Sequence, residues 1–107
     1  MEDCIFCKIV GGEIPSHKVY ENEHVFAFLD ITPINSGHTL VVPKTHARNL
    51  FDITAQDWAH VTKAVHYLAP RIRDATSADG LNLGMNNEPV AGQSVLHPHV
   101  HIMPRFK

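Results

Sequence analysis

Three histidines, His97, His99 and His101, occupy alternate positions in the segment HPHVHIM. In an extended strand alternate side chains point to the same face, so the three imidazoles would share one face and Pro98 and Val100 the other. An apolar face opposite a histidine face is typical of a half-buried strand. Because imidazole titrates near neutral pH, such a row can attack a substrate, donate protons and accept them.

Metal binding is the alternative for this tract, since histidine-rich segments often bind metals. Neighbouring residues on one face of a strand have Cα atoms roughly 7 Å apart, and the outer two of three lie about 13 Å apart. One ion could therefore bind two of the three imidazoles, but not all three. The tract by itself leaves catalysis and metal binding equally open.

The segment before the histidine row, residues 86–95, is polar and rich in turn-forming residues. Gly92 permits close backbone approach, and Gln93 and Ser94 add an amide and a hydroxyl. Its free N–H groups could cradle a phosphate, with amide dipoles and imidazolium balancing the charge, since the segment has no lysine or arginine. An ordinary hairpin loop is the alternative.

Residues 91–103, AGQSVLHPHVHIM, closely resemble the signature of the histidine-triad (HIT) superfamily of nucleotide hydrolases and transferases. Two further segments agree with family motifs in the family's order: IFCKIV with GEIP over residues 5–15, and GHTLVVPK over residues 37–44. The resemblance runs from about residue 3 to Arg105. It implies a single HIT domain over residues 1–107.

Composition is consistent with this resemblance and excludes some partners. A chain of 107 residues is long enough for one domain with a modest core. A net charge of −2 gives no reason to expect a nucleic-acid partner. The chain has no apolar run long enough to span a membrane and no export signal, so two cysteines in Cys-x-x-Cys spacing indicate a reducing, cytoplasmic location.

The apolar pattern predicts an α+β chain. Asp3 would cap a short helix that ends before Gly11, and Thr54 with Asp57 would cap a long helix in which Pro70 predicts a kink or an early break. The predicted strands are Lys18–Glu21, His24–Asp30, Thr39–Pro43, Gly80–Met85 and His97–Pro104. Pro98 fits only where its missing N–H has no strand partner.

The resemblance implies how these elements assemble: a five-stranded antiparallel sheet packed by one long and one short helix, joined to a second copy across a two-fold axis. An antiparallel sheet in so small a chain also leaves edges to cover, which favours a homodimer. Trp58 and the face from Val61 to Val65 are candidates for the contact, or else belong to the core.

Catalytic roles follow from the resemblance. His99 matches the family's nucleophile, which attacks the α-phosphorus to form a nucleotidyl-histidine intermediate that water hydrolyses. His101 matches the residue that contacts phosphate and assists the leaving group. His38 matches a histidine that supports the triad from a neighbouring strand, and Ser94 matches a contact to the leaving group.

The resemblance also implies a purine nucleotide site. Asp30 matches the acid that accepts hydrogen bonds from the ribose hydroxyls. Asn86, Gly92, Gln93 and Ser94 match the phosphate loop. The apolar wall around the base would comprise Phe6, Ile9, Ile14, Phe28 and Ile31, residues that periodicity alone would place in the core. An apolar slot predicts weak discrimination between adenosine and guanosine.

Cys4 and Cys7 resemble the metal ligands of one branch of the family. That branch holds a structural zinc with two cysteines, a later histidine and the first triad histidine, which here are His46 and His97. The alternative for a Cys-x-x-Cys pair is two inert reduced thiols.

Three functions remain open from the sequence. The first is a nucleoside phosphoramidase or aminoacyl-adenylate hydrolase that releases a nucleoside monophosphate, and Ser94 favours it. The second is a dinucleoside polyphosphate hydrolase with the same nucleophile. The third is a zinc-stabilised nucleotide-binding module without significant turnover.

Overall fold

Five short strands form one antiparallel sheet in the computed structural model, which describes residues 3–107. Along the sheet their order is β1-β2-β3-β5-β4. In chain order they are β1 Lys18–Glu21, β2 Val25–Leu29, β3 Thr39–Pro43, β4 Gly80–Gly84 and β5 Val100–Arg105. The helices are α1 Ile5–Val10, α2 Ala55–Thr76 and a 3-10 turn Pro89–Ala91. The predicted α+β architecture with one long and one short helix is confirmed.

The two helices cover opposite faces of the sheet, because alternate strand residues point to opposite sides. On one face Ala27, Val41 and Ile102 pack against the buried stripe of α2. On the other face Phe28 and Leu40 pack with residues of α1. Since His99 and His101 alternate with Val100 and Ile102, the histidines lie on the α1 side.

The short helix α1 begins differently from the prediction. Cys4, not Asp3, is the N-cap, and its Sγ accepts a hydrogen bond from the Cys7 N–H at 3.3 Å. Gly11 ends the helix as predicted. The first turn of α1 is therefore built around the two cysteines.

The long helix α2 starts at the predicted cap, where Thr54 Oγ1 accepts from the Asp57 N–H at 3.1 Å. Of the kink or early break predicted at Pro70, the early break is wrong, since the helix continues to Thr76. Pro70 and His66 are exposed, so water can reach the His66 carbonyl that has lost its helical donor. Val61 is 1% exposed and belongs to the core beneath the helix, whereas Trp58 is half-buried.

Strand β5 begins at Val100, three residues later than predicted. Val41 pairs with Val100, so continuing the register would place Pro43 opposite Pro98. Neither proline has an N–H to donate, so the pairing of β3 with β5 cannot continue through that position. The last observed pair is Val41 with Val100. Strand β2 is one residue shorter at each end than predicted, and β4 ends one residue early. Within residues 3–107, no helix has the length and apolar character needed to cross a membrane.

Candidate functional site

The middle histidine, His99, lies buried at the point where the chain enters β5. Its Nδ1 lies 2.7 Å from the carbonyl oxygen of His97. A carbonyl oxygen only accepts, so Nδ1 carries the hydrogen and Nε2 keeps its lone pair. Burial lowers the pKa of His99, which favours the neutral ring. The Phe6 ring packs edge-on against this imidazole, 5.0 Å away between centroids, and limits its rotation.

The tautomer of His101 is set by His38, the residue immediately before the neighbouring strand β3. The Ile34 N–H donates to His38 Nδ1 at 3.1 Å, so the neutral His38 carries its hydrogen on Nε2. That Nε2–H donates to His101 Nδ1 at 2.9 Å. The remaining nitrogen of His101, Nε2, is therefore an N–H donor.

Both rings of this relay stay neutral at physiological pH. Burial, together with the neighbouring His99 and His38, lowers the pKa of His101 to about 4. Burial also lowers the pKa of His38, although the Asp30 carboxylate opposes the shift. Asp30 Oδ2 lies 3.6 Å from His38 Nε2.

Asp30, His38 and His101 lie close enough together to suggest a second metal cluster. Their hydrogen bonds do not fit that role. His38 already accepts at Nδ1 and donates at Nε2, and His101 Nδ1 accepts that hydrogen. No imidazole lone pair of the group remains directed at a shared ion. The cluster is therefore a hydrogen-bond network in which each ring nitrogen has a defined role as donor or acceptor.

A cavity of about 280 Å³ opens beside the histidines, between α1 and the C-terminal end of β2. Its size is close to the lower end for small-molecule sites, ~300 Å³. Nine residues predicted to bind the nucleotide line it: Phe6, Ile9, Ile14, Phe28, Asp30, Ile31, Ser94, His99 and His101. Ile31 is 88% exposed and so stands at the rim rather than in the wall.

Additional cavity-lining residues were missed by the sequence analysis, among them Pro15, Ser16, Leu40 and Val95. Leu40 could have been found, because its cross-strand partner is Phe28 and facing residues share a side of the sheet. Pro15 and Ser16 lie in a loop without a periodic pattern. Ser94 and Val95 also line a second opening of about 490 Å³ that extends past His46 and Leu96.

Three members of the predicted phosphate loop, Asn86, Gly92 and Gln93, do not line the nucleotide cavity. Gly92 has a φ of +91°, which glycine adopts readily, and its carbonyl accepts from the Asn86 amide at 3.3 Å. Gln93 is 5% exposed, and both ends of its amide bond to neighbouring protein groups. Of the four residues predicted to form the phosphate loop, Ser94 alone lines the cavity.

The predicted metal ligands Cys4, Cys7, His46 and His97 come together from three separate segments. Cys4 Sγ lies 3.3 Å from His97 Nδ1, and Cys7 Sγ lies 3.3 Å from His46 Nδ1 and 3.6 Å from His97 Nδ1. His97 Nε2 donates to the Pro43 carbonyl at 2.8 Å, which leaves the Nδ1 lone pair facing the thiols.

Burial keeps Cys7 and His97 of this cluster uncharged. Burial, together with the neighbouring Cys4, raises the pKa of the Cys7 thiol to about 11. Burial lowers the pKa of His97 to about 4 and keeps its ring neutral. Two thiols and two neutral imidazoles within 4.8 Å of one another are a donor set compatible with a structural metal ion.

Comparison with known proteins agrees with this geometry. The HIT domain family model matches residues 11–107. Protein hit of Bacillus subtilis (strain 168) is 53% identical over 105 residues, which are 98% of this chain and 72% of that protein. Adenylylsulfatase HINT3 of Arabidopsis thaliana is 40% identical over 103 residues, which are 96% of this chain and 52% of the plant protein.

Among solved structures, a Zn-bound histidine triad family protein from Mycobacterium smegmatis superimposes with a TM-score of 0.93. It is 39% identical, and the match covers 97% of this chain and 76% of that one. These relatives span nearly the whole chain, and the family model covers residues 11–107, which include the triad but not the cysteine pair. The chain belongs to the HIT family.

Proposed function

We propose that this protein hydrolyses purine nucleotides at the α-phosphate, with His99 as nucleophile, and that its substrates are nucleoside phosphoramidates or aminoacyl-adenylates. The observation that carries the proposal is the hydrogen bond from His99 Nδ1 to the His97 carbonyl, 2.7 Å long. It leaves a neutral, buried imidazole with a free Nε2 lone pair at the wall of the nucleotide cavity. That is the state in which an imidazole attacks phosphorus.

The reaction takes two steps. In the first, Nε2 of His99 bonds to the α-phosphorus while the bond to the leaving group breaks, and the leaving group departs with one proton taken up from solvent. In the second, water adds to phosphorus, the phosphorus–nitrogen bond breaks, one proton of the water returns to solvent, and His99 returns to its neutral form. A nucleoside monophosphate is released.

The neighbouring side chains have distinct roles in these steps. His101 donates its Nε2–H to a phosphoryl oxygen, where negative charge grows in the transition state. Ser94 donates its hydroxyl to the leaving group, which extends into the opening past Leu96. Asp30 accepts from the ribose hydroxyls, and the apolar wall around Phe6 and Phe28 holds the base.

A structural zinc is part of the proposal. Sulfur and nitrogen ligands of a tetrahedral zinc lie roughly 3.6 Å apart, given bonds of about 2.3 Å and about 2.0 Å. The three sulfur–nitrogen distances of 3.3 Å, 3.3 Å and 3.6 Å fit this geometry. When bound, the ion would cross-link α1 to the segments that carry His46 and His97. It would stabilise the fold without touching the substrate.

A homodimer in the cytoplasm completes the proposal. An apolar groove of about 380 Å³ runs between α2 and the edge strand β4, lined by Trp58, Val65, Ala69, Leu83 and Val100 among others. Leu83 is 55% exposed on that edge. A second copy would cover both the groove and the unpaired edge. Two free thiols support a reducing compartment.

The test is a substrate panel: adenosine 5′-phosphoramidate, an aminoacyl-adenylate analogue and a dinucleoside polyphosphate, each followed by release of nucleoside monophosphate. Preferred turnover of the first two supports the proposal. Preferred turnover of the dinucleotide would assign the alternative hydrolase, and nucleotide binding without turnover would assign a binding module.

A further inference from the structure

Glu88 holds a backbone conformation that is rare for a residue with a side chain. Its φ is +80° and its ψ is 147°, at the start of the 3-10 turn in the loop between β4 and β5. Side chains disfavour this region, so neighbouring contacts must hold the residue there. Such a conformation within a substrate-binding loop points to a positional requirement.

The Glu88 carboxylate is bound from the opposite loop by Arg48 and Asn49. Arg48 Nε and Nη2 donate to its two oxygens at 2.8 Å and 2.9 Å, a bidentate pair. Asn49 Nδ2 donates to Oε2 at 2.6 Å. Arg48 and Asn49 lower the pKa of Glu88, so the carboxylate is ionised at neutral pH.

Gln93 closes the network on the other side. Its Oε1 accepts from the Glu88 N–H at 2.7 Å and from Asn49 Nδ2 at 3.1 Å. Its Nε2 donates to the carbonyls of Arg48 and Val95 at 2.7 Å and 2.9 Å. Asn49 is 1% exposed and Gln93 5% exposed, so their hydrogen bonds are shielded from competing water.

We propose that Glu88 is a positioning residue, which clamps the loop before the triad against Arg48 and Asn49 and thereby fixes Ser94 beside the reacting phosphate. Ser94 follows Gln93 directly and lines the same cavity as His99. The inference rests on the proposed hydrolase function and adds to it the residue that holds the phosphate loop in place. An exposed ion pair alone stabilises a fold little, so the Arg48–Glu88 pair would not hold the loop by itself. The hydrogen bonds to the buried Asn49 and Gln93 are what set Glu88 apart from an ordinary surface ion pair.

The test compares Glu88→Gln and Glu88→Gly in turnover of adenosine 5′-phosphoramidate. Glutamine presents an NH₂ group to the donors of Arg48 and Asn49, whereas glycine accepts the positive φ but has no carboxylate. We expect both variants to lose ~10- to 100-fold in kcat, the range that a small displacement of a catalytic contact produces. Binding of AMP should change less than about twofold, since the ribose and base contacts lie elsewhere.

Glu21→Gln is the matched control. Glu21 forms comparable exposed contacts, to Lys18 at 3.1 Å and Lys44 at 2.6 Å, but on β1. Its kcat should stay within about twofold of the wild type. The proposal would be overturned if the Glu88 variants had wild-type kcat. It would also be overturned if their loss of kcat were no larger than the fraction of protein that is unfolded.

Hydrogen exchange gives a readout that does not need turnover. The amides of Ala91 and Gln93 both donate to the Glu88 carbonyl, at 2.9 Å and 3.2 Å. Their exchange should accelerate at least about tenfold in Glu88→Gly and in the milder Arg48→Met, while α2 amides remain protected. Unchanged exchange overturns the clamp. Wild-type protein that binds AMP but does not turn over substrate overturns the proposed function instead.

Discussion

His97 links the Cys4–Cys7–His46 cluster to His99. Its carbonyl oxygen accepts the Nδ1–H of His99 at 2.7 Å, while its own ring Nδ1 lies 3.3 Å from Cys4 Sγ. Its Nε2 is held by the Pro43 carbonyl at the end of β3. The position of the His99 imidazole therefore depends on a residue that is fixed on both sides, once by the sheet and once by the thiol cluster.

Cys4→Ser should lose the metal and destabilise the protein. We expect about one zinc per wild-type chain and much less than one in the variant, measured by elemental analysis after purification without chelator. The variant's Tm should fall by at least ~10 °C, since each ~1 kcal/mol of stability corresponds to ~4–8 °C in a small domain.

Wild-type protein treated with a chelator is the control for this variant, and it should show the same fall in Tm. Its activity, measured at low temperature where the protein is still folded, should change less than its Tm does. Full zinc content in Cys4→Ser would rule out the assigned ligand set.

His38→Ala should slow the reaction without weakening nucleotide binding. The variant removes the donor that holds His101 in the tautomer with Nε2–H, so His101 donates to the phosphate only part of the time. We expect kcat to fall ~10-fold, less than the ~10²- to 10³-fold loss that follows removal of a transition-state donor itself, with AMP binding nearly unchanged. Steady-state kinetics and calorimetry measure the two effects.

Asp30→Asn is the comparison for His38→Ala, because it should act mainly on binding: KM rises and kcat changes little. If His38→Ala had wild-type kcat, or raised only KM, the relay from Ile34 through His38 to His101 would have no part in catalysis.

The pH dependence of kcat/KM should have no transition near the ordinary histidine pKa of 6.5. Burial lowers the pKa of His101 to about 4, so its ring stays neutral as the pH falls toward 5, and burial lowers the pKa of His38 in the same direction. Protonation of His101 at Nδ1 would break its bond from His38, so activity is present above this range and lost below it. We expect a plateau from about pH 6 to about pH 8 and a decline on the acid side. An acid limb with a midpoint near 6.5 would contradict the assignment.

Leu83→Glu should separate the proposed dimer. A carboxylate on the edge strand β4 would have to be buried in the apolar groove, which costs free energy without a partner. Light scattering at micromolar concentration should give the mass of two chains for the wild type and of one for the variant. Val19→Glu, on the opposite edge strand β1, should stay dimeric. A monomeric wild type would exclude the dimer.

Much of this arrangement is predictable from local pattern. The alternation of His99 and His101 with Val100 and Ile102 places the imidazoles opposite α2, because a strand has a side-chain period of two. The cap at Thr54 is equally local, since a hydroxyl three residues before an N–H is enough to form it.

The errors lie where a contact is made between distant segments. The start of β5 depends on its pairing with β3, which ends at Val41 and Val100, and the cap of α1 depends on a cysteine that also faces His97. The clamp of Glu88 on Arg48 joins residues 40 positions apart, and neither residue has a periodic or motif signal. Gln93 matches a phosphate contact by its motif, and its amide bonds to protein groups on both sides, the Arg48 carbonyl and the Glu88 N–H.

The most direct test of the central claim is to trap the nucleotidyl intermediate on His99. Rapid quench of wild-type protein with an adenosine phosphoramidate, followed by intact-protein and peptide mass spectrometry, should show an adenylyl adduct on His99. His99→Asn should form no adduct and lose at least ~10³-fold in kcat while still binding AMP, because the covalent route is closed. An adduct on another residue, or full activity in His99→Asn, would contradict the account.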